Sequence, residues 1–179
     1  MKRRVMVVLV LLVAGLAVFA GKVLATPATG GYSSTTLANA TFAPMDLLAH
    51  VRAGQLTSPS PWALFLLSYG QSDVYVQSNQ WPVGSSTGWH THPGPSLIIL
   101  KKGSVLTEWE WDRGTCSKHV YDATNGDLGF IDSGGPDHAH VLINDGPNVA
   151  STYAVQLIPH GSTRRIDATP APANCGPSS

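Results

Sequence analysis

The chain has 179 residues, of which 43% are hydrophobic and 12% charged, the charged share being about half of that usual for a globular domain. Eleven Lys and Arg against eleven Asp and Glu leave no net charge, so nothing draws the chain to nucleic acid or to an acidic membrane surface. The length suits one ordinary domain with flanking segments.

Residues 1–25 read as a targeting segment. Lys2, Arg3 and Arg4 form a basic start, 5–20 is an uninterrupted apolar run, and Val23-Leu24-Ala25 precede a cut at Thr26. That order is the pattern of a secretory signal peptide. The alternative is an N-terminal anchor retained through residues 5–21, although the run is a little short of the roughly 20 residues that span a bilayer. Both readings put the rest of the chain outside the membrane.

Residues 26–60 are expected to hold a linker and a short helix. The linker, 26–36, is Gly, Ser, Thr and Pro. The helix would run from Pro44 to Val51 and end near Gly54. From 61 to 161 the character changes. Short runs rich in Val, Ile, Leu, Tyr and Trp lie at 63–68, 73–77, 96–100, 104–111, 119–121, 128–131, 138–143 and 151–158, separated by Gly, Pro, Asp and Asn. Many short strands without a helical period predict an all-β sandwich or barrel. Residues 162–179 are Pro- and Ala-rich and are expected to form a loose C-terminal tail. Two cysteines, Cys116 and Cys175, make an even pair, and in an exported chain they predict a disulfide that fastens this tail.

The chemistry concentrates in two histidine pairs. His90 and His92 are separated by one residue, as are His138 and His140. On a strand, residues i and i+2 share a face, so each pair can aim two imidazoles into one cavity. Imidazole suits Zn, Cu, Fe and Ni. Gly84, His90, His92, Ser96 and Gly103 carry the spacing of a known motif, with serine where the motif has glutamate. Gly126, His140 and Asn144 fit the start and the end of a second motif.

With these motifs the chain resembles the cupin superfamily, small single-domain members in particular, over roughly 73–161. The resemblance implies a jelly-roll β-barrel. It implies a divalent metal, Fe, Zn, Cu, Ni or Mn, held by His90, His92 and His140. The missing glutamate makes the set less anionic, which disfavours hard ions such as Mn. Three histidines without a carboxylate resemble the cysteine dioxygenase branch of the family. His138 stands as an alternative ligand or as a partner behind the ligands, and Ser96 as an open coordination position or a water site. The expected function is an exported metal-dependent oxygenase or isomerase acting on a small molecule. The second reading is a non-catalytic module that binds a small ligand or carbohydrate. Metal-free ligand-binding members of the family make that reading concrete.

Glu108-Trp109-Glu110-Trp111 alternates strictly. Burial preference puts the tryptophans in the core and the glutamates in water, the alternative being a glutamate that faces the cavity in place of the absent carboxylate. Gln156 could also line the cavity, or simply satisfy backbone groups. His50, His119 and His160 read as surface residues.

Overall fold

The computed structural model describes residues 27–55, 60–169 and 171–176. The targeting segment expected at 1–25, with its anchor alternative, lies outside the described residues. No helix among them is long and apolar enough to cross a membrane. The described residues form strands β1 (Ser33–Phe42), β2 (Asp46–Val51), β3 (Trp62–Leu67), β4 (Ser72–Trp81), β5 (His90–Thr91), β6 (Ser96–Leu100), β7 (Val105–Asp112), β8 (Thr115–Asp122), β9 (Leu128–Asp132), β10 (His138–Ile143), β11 (Ala150–Pro159) and β12 (Ile166–Asp167). One sheet has the order β1-β4-β11-β6-β9, the other β12-β5-β10-β7-β8, and β2 and β3 form a separate two-stranded ribbon.

The two large sheets face each other and are not closed into a barrel. Their inner faces follow from alternation. In β11, Ala150, Thr152, Ala154, Gln156 and Ile158 point inward, while Tyr153 and Val155 point outward. One end of the interior is apolar: Trp81, Leu100, Leu106, Ala123, Leu142 and Ala150 pack there with Tyr121 and Phe130. The other end is lined by polar residues and carries the histidines.

Four local expectations need correction. The segment 44–51 is no helix: Asp46–Val51 is β2, paired along its length with β3. A helix that short gains few hydrogen bonds for the cost of its first turn, whereas the apolar β-formers of β3 offer a full ladder. Much of the expected linker is also ordered. Strand β1 pairs with β4 from Ser33↔Gln80 to Phe42↔Ser72, and its hydroxyls bond across, Ser34 Oγ to Gln77 at 3.0 Å and Thr41 Oγ1 to Asp73 at 2.6 Å.

The tail is not loose either. Strand β12 pairs with β5, and Ala168, Ala171 and Cys175 lie against Trp89, Val141, Trp109 and Trp111. Cys116 and Cys175 form the expected disulfide. This packing reverses the faces of β7. Trp109 and Trp111 lie on the outer side with the tail cluster, while Glu108, 3% exposed, points between the sheets. Alternation set which residues share a face, and the tail decided which face is covered.

Candidate metal centre

Five side chains converge at the polar end. His90 comes from β5, His138 and His140 from β10, Asp132 from the end of β9, and His92 from the loop after β5. His90 sits opposite His140 in the β5–β10 pair, and Ser96 sits opposite Asp132 in the β6–β9 pair. All are buried, His140 completely.

His92, Asp132 and His140 form the tight cluster, each offering one ligand atom within 4.8 Å of the others. Asp132 Oδ2 lies 2.7 Å from His140 Nε2 and 3.1 Å from His92 Nε2. His90 Nε2 lies 3.2 Å from His140 Nε2. The expected three-histidine set is therefore corrected to two histidines and an aspartate, with His90 adjoining through His140. Asp132 brings a carboxylate opposite Ser96 on the neighbouring strand. Ser96 lines the cavity but is not part of the cluster.

The protons on the rings follow from their neighbours. His92 Nδ1 contacts the Gly94 carbonyl and His90 Nδ1 contacts the Gly88 carbonyl at 3.0 Å. A carbonyl only accepts, so both rings hold a proton at Nδ1 and, when neutral, present a lone pair at Nε2. His92 Nε2 nonetheless lies in the interior 3.1 Å from Asp132 Oδ2. Two acceptors meeting in the interior require a positive charge on or between them, a proton or a cation. Ligands about 2.1 Å from one ion and at right angles to each other lie about 3 Å apart. The contacts here have that size, so the residues fit a divalent ion.

Electrostatics agree. Burial would raise the Asp132 carboxyl, but the imidazoles of His140 and His92 outweigh it and hold it well below the usual carboxylate range. Burial would lower His92, but the Asp132 carboxylate raises it. His90 is pushed well down by burial and by the charge of His140.

Gly134 holds His92 in place. Its φ is +66°, a left-handed conformation that favours glycine, and a Cβ there would collide with the His92 ring and carbonyl. The neighbouring Gly135 N–H donates to the His92 carbonyl at 2.8 Å. Gly134→Ala is expected to displace the ring and weaken ion affinity by about 10- to 100-fold, the usual effect of disturbing groups that orient a ligand. Calorimetric titration with Zn checks this, and unchanged affinity would show that the loop yields without moving His92.

Behind the cluster, His138 Nδ1 lies 3.1 Å from Glu110 Oε1 and its Nε2 lies 3.8 Å from Asp132 Oδ1. Glu110 Oε2 in turn lies 3.3 Å from the half-exposed His119. His138 thus pairs with Glu110 and lies beside Asp132 without a hydrogen bond to it, and His119 is linked to the site through Glu110.

Glu108 accepts a 2.7 Å hydrogen bond from the Tyr121 hydroxyl. Burial, with a contribution from the Asp132 charge, pushes its carboxyl up to about 7. A carboxyl raised on folding binds more protons folded than unfolded, so stability is highest at low pH and falls as pH rises through the window from about 4.5 to about 7. In chelator-treated protein, Glu108→Gln is expected to remove this loss, of about 3 kcal/mol. Urea midpoints of both proteins across that window test it. Parallel curves would mean that Glu108 titrates normally.

The cluster opens into a cavity of about 380 Å³, within the range of small-molecule sites. Gln77, Asn79, Thr152 and Gln156 form a polar wall, and Arg164 and Arg165 also line it. Gln156 both lines the cavity and bonds the Arg164 carbonyl at 3.1 Å, so both readings of this residue hold. Asn144 serves the backbone. Its amide bonds the carbonyls of Trp81 and Asn148 and accepts from Gly146 N–H, fixing the turn after β10. Asp132 does not stand out in the sequence because it ends an apolar run. Parity gives the missing signal, since Leu128, Phe130 and Asp132 share a face of β9.

No protein-family model matches the chain, and no curated protein matches it. Among solved structures it is similar to an oxalate oxidase, 16% identical over 49% of this chain and 46% of that one, with a TM-score of 0.39. It spans less than half of that protein's length. It is also similar to a cupin-like protein from Thermotoga maritima, 16% identical over 54% of this chain and 65% of that one, TM-score 0.38. A third is a cupin superfamily protein from Desulfitobacterium hafniense, 9% identical over 65% of this chain and 81% of that one, TM-score 0.38. These last two are named for their fold, as cupins.

Proposed function

We propose that the chain is an exported cupin of jelly-roll topology that holds a divalent ion through His92, Asp132 and His140, with His90 as an adjoining donor. On this reading it is a metal-dependent oxygenase or isomerase acting on a small molecule. The observation that carries it is the buried convergence of His92, Asp132 and His140, each with one ligand atom within 4.8 Å of the others. Two imidazoles and one carboxylate with open positions form the set typical of non-haem Fe(II) oxygenases. The carboxylate also makes harder ions such as Fe(II) and Mn more favourable than an all-imidazole set would. When bound, such an ion supplies Lewis acidity to a chelating substrate and, if redox-active, electron transfer to oxygen.

The chain's own residues bind and orient. The Gly88 and Gly94 carbonyls fix the ring protons of His90 and His92 so that both Nε2 atoms face inward. The sheets exclude bulk water from the cluster, and the polar wall offers hydrogen bonds to a small polar ligand. Export is supported by the signal-like segment at 1–25 and by the Cys116–Cys175 bridge, which persists in oxidising compartments. The second reading, a non-catalytic module for a small ligand or carbohydrate, is favoured by the same polar wall, which would serve recognition equally well.

Reconstitution with Fe(II), Mn, Zn, Cu and Ni, followed by elemental analysis, tests the proposal. One ion per chain is expected, with affinity falling as the pH drops because an ion and a proton compete for His92, whose proton affinity the Asp132 carboxylate raises. A chain that stays empty after reconstitution would sink the metal reading and leave the ligand module.

A further inference from the structure

Arg164 and Arg165 follow β11 and line the cavity that holds the metal cluster. Their charges differ in how they are met. Arg165 Nε donates to Asp167 Oδ1 at 2.7 Å. Arg164 is held by neutral groups: its Nε donates to Gln156 Oε1 at 3.2 Å, its Nη1 donates to Thr36 Oγ1 at 2.9 Å, and its guanidinium stacks on Tyr75 at 4.3 Å. Among the described residues no carboxylate pairs with Arg164. A guanidinium so fixed, half-buried and without a counter-charge, is ready for an anion, since the planar fork matches a carboxylate.

Register sets its distance from the ion site. Asp132, Ser96, Gln156 and Tyr75 form one cross-strand row through β9, β6, β11 and β4. Arg164 rests on the last two members of that row. Two to three strand spacings separate it from Asp132, roughly 10–14 Å.

We propose that Arg164 is the anion subsite of this cavity, and that the ligand is a small acid that chelates the ion with one end and pairs a carboxylate with Arg164 at the other. This rests on the metal reading above. An acid of about four to six carbons extends roughly 6–9 Å between its outer oxygens, and about 2 Å of ion coordination plus about 3 Å of hydrogen bond bring its reach to roughly 11–14 Å, whereas oxalate is too short to reach both ends. The subsite therefore selects for length as well as charge.

A dicarboxylate series tests it, with dissociation constants measured by calorimetry on Zn-loaded and chelator-treated protein. In Zn-loaded wild type, glutarate is expected to bind more tightly than oxalate. Arg164→Gln should weaken glutarate by about 10- to 100-fold, the scale of a lost charge-assisted pair, and leave oxalate within about twofold. Glutaramate, with one carboxylate replaced by an amide, should bind the wild type about as weakly as glutarate binds R164Q. That comparison needs no variant, so it stands even if R164Q folds poorly. Arg164→Lys should recover part of the loss, because it keeps the charge without the fork.

The failures are separable. If Zn changes no affinity, the metal reading fails, while a loss of glutarate binding in R164Q still supports the anion subsite. If Zn tightens both acids but R164Q and glutaramate match their references, the metal reading stands and the Arg164 subsite is overturned.

Discussion

Asp132→Asn is expected to lower divalent-ion affinity by well over a hundredfold while leaving the chain folded. Groups that only orient a ligand cost about 10- to 100-fold when removed, and Asp132 stands among the ligand atoms themselves, 2.7 Å from His140 and 3.1 Å from His92. The asparagine is nearly isosteric but neutral, so it keeps the packing and removes the anion that offsets an ion's charge. The raised proton affinity of His92 depends on the same carboxylate. In the variant, His92 should therefore titrate at lower pH, visible by NMR of its ring protons. His138→Ala removes a ring that lies behind Asp132 and should cost no more than about 10- to 100-fold. Zn titration of both variants decides the order. If D132N bound as tightly as the wild type and His90→Ala did not, the operative set would be the three histidines expected from the sequence motif.

Replacing Cys116 and Cys175 by serine is expected to produce the largest loss of stability. The bridge joins residues 59 apart in sequence, and closing a loop of that size is worth about 4 kcal/mol in the chain-entropy model. For a domain of this size that lowers the melting temperature by roughly 8–16 °C. A local change should accompany it. The bridge pins Ala168, Ala171 and Cys175 over Trp89, Val141, Trp109 and Trp111, so release of the tail should wet the tryptophans and shift their emission to the red. The same tail carries β12, which pairs with β5 at His90, so ion affinity should fall modestly as well. An unchanged melting temperature in the double variant would mean that the tail is held by packing alone.

The sequence by itself determined the all-β class, the strand runs of β3, β4 and β6 to β11, and the pairing of the two cysteines. These are local or countable properties. Alternation of apolar residues marks a strand whatever its neighbours, and two cysteines allow one internal bridge. It also singled out His92 and His140, through their motif spacing. Other features depended on distant partners. Strand β1 is polar enough to read as linker, and only β4, some forty residues on, supplies its ladder. The direction of Glu108 was decided by the tail that covers the opposite face of β7. Asp132 is the sharpest case. Its place at the histidine cluster comes from pairing with Ser96 across β6 and β9, a partner more than thirty residues earlier in the chain. A ligand set is a constraint on positions around an ion, and only the tertiary structure states which strand fills each one.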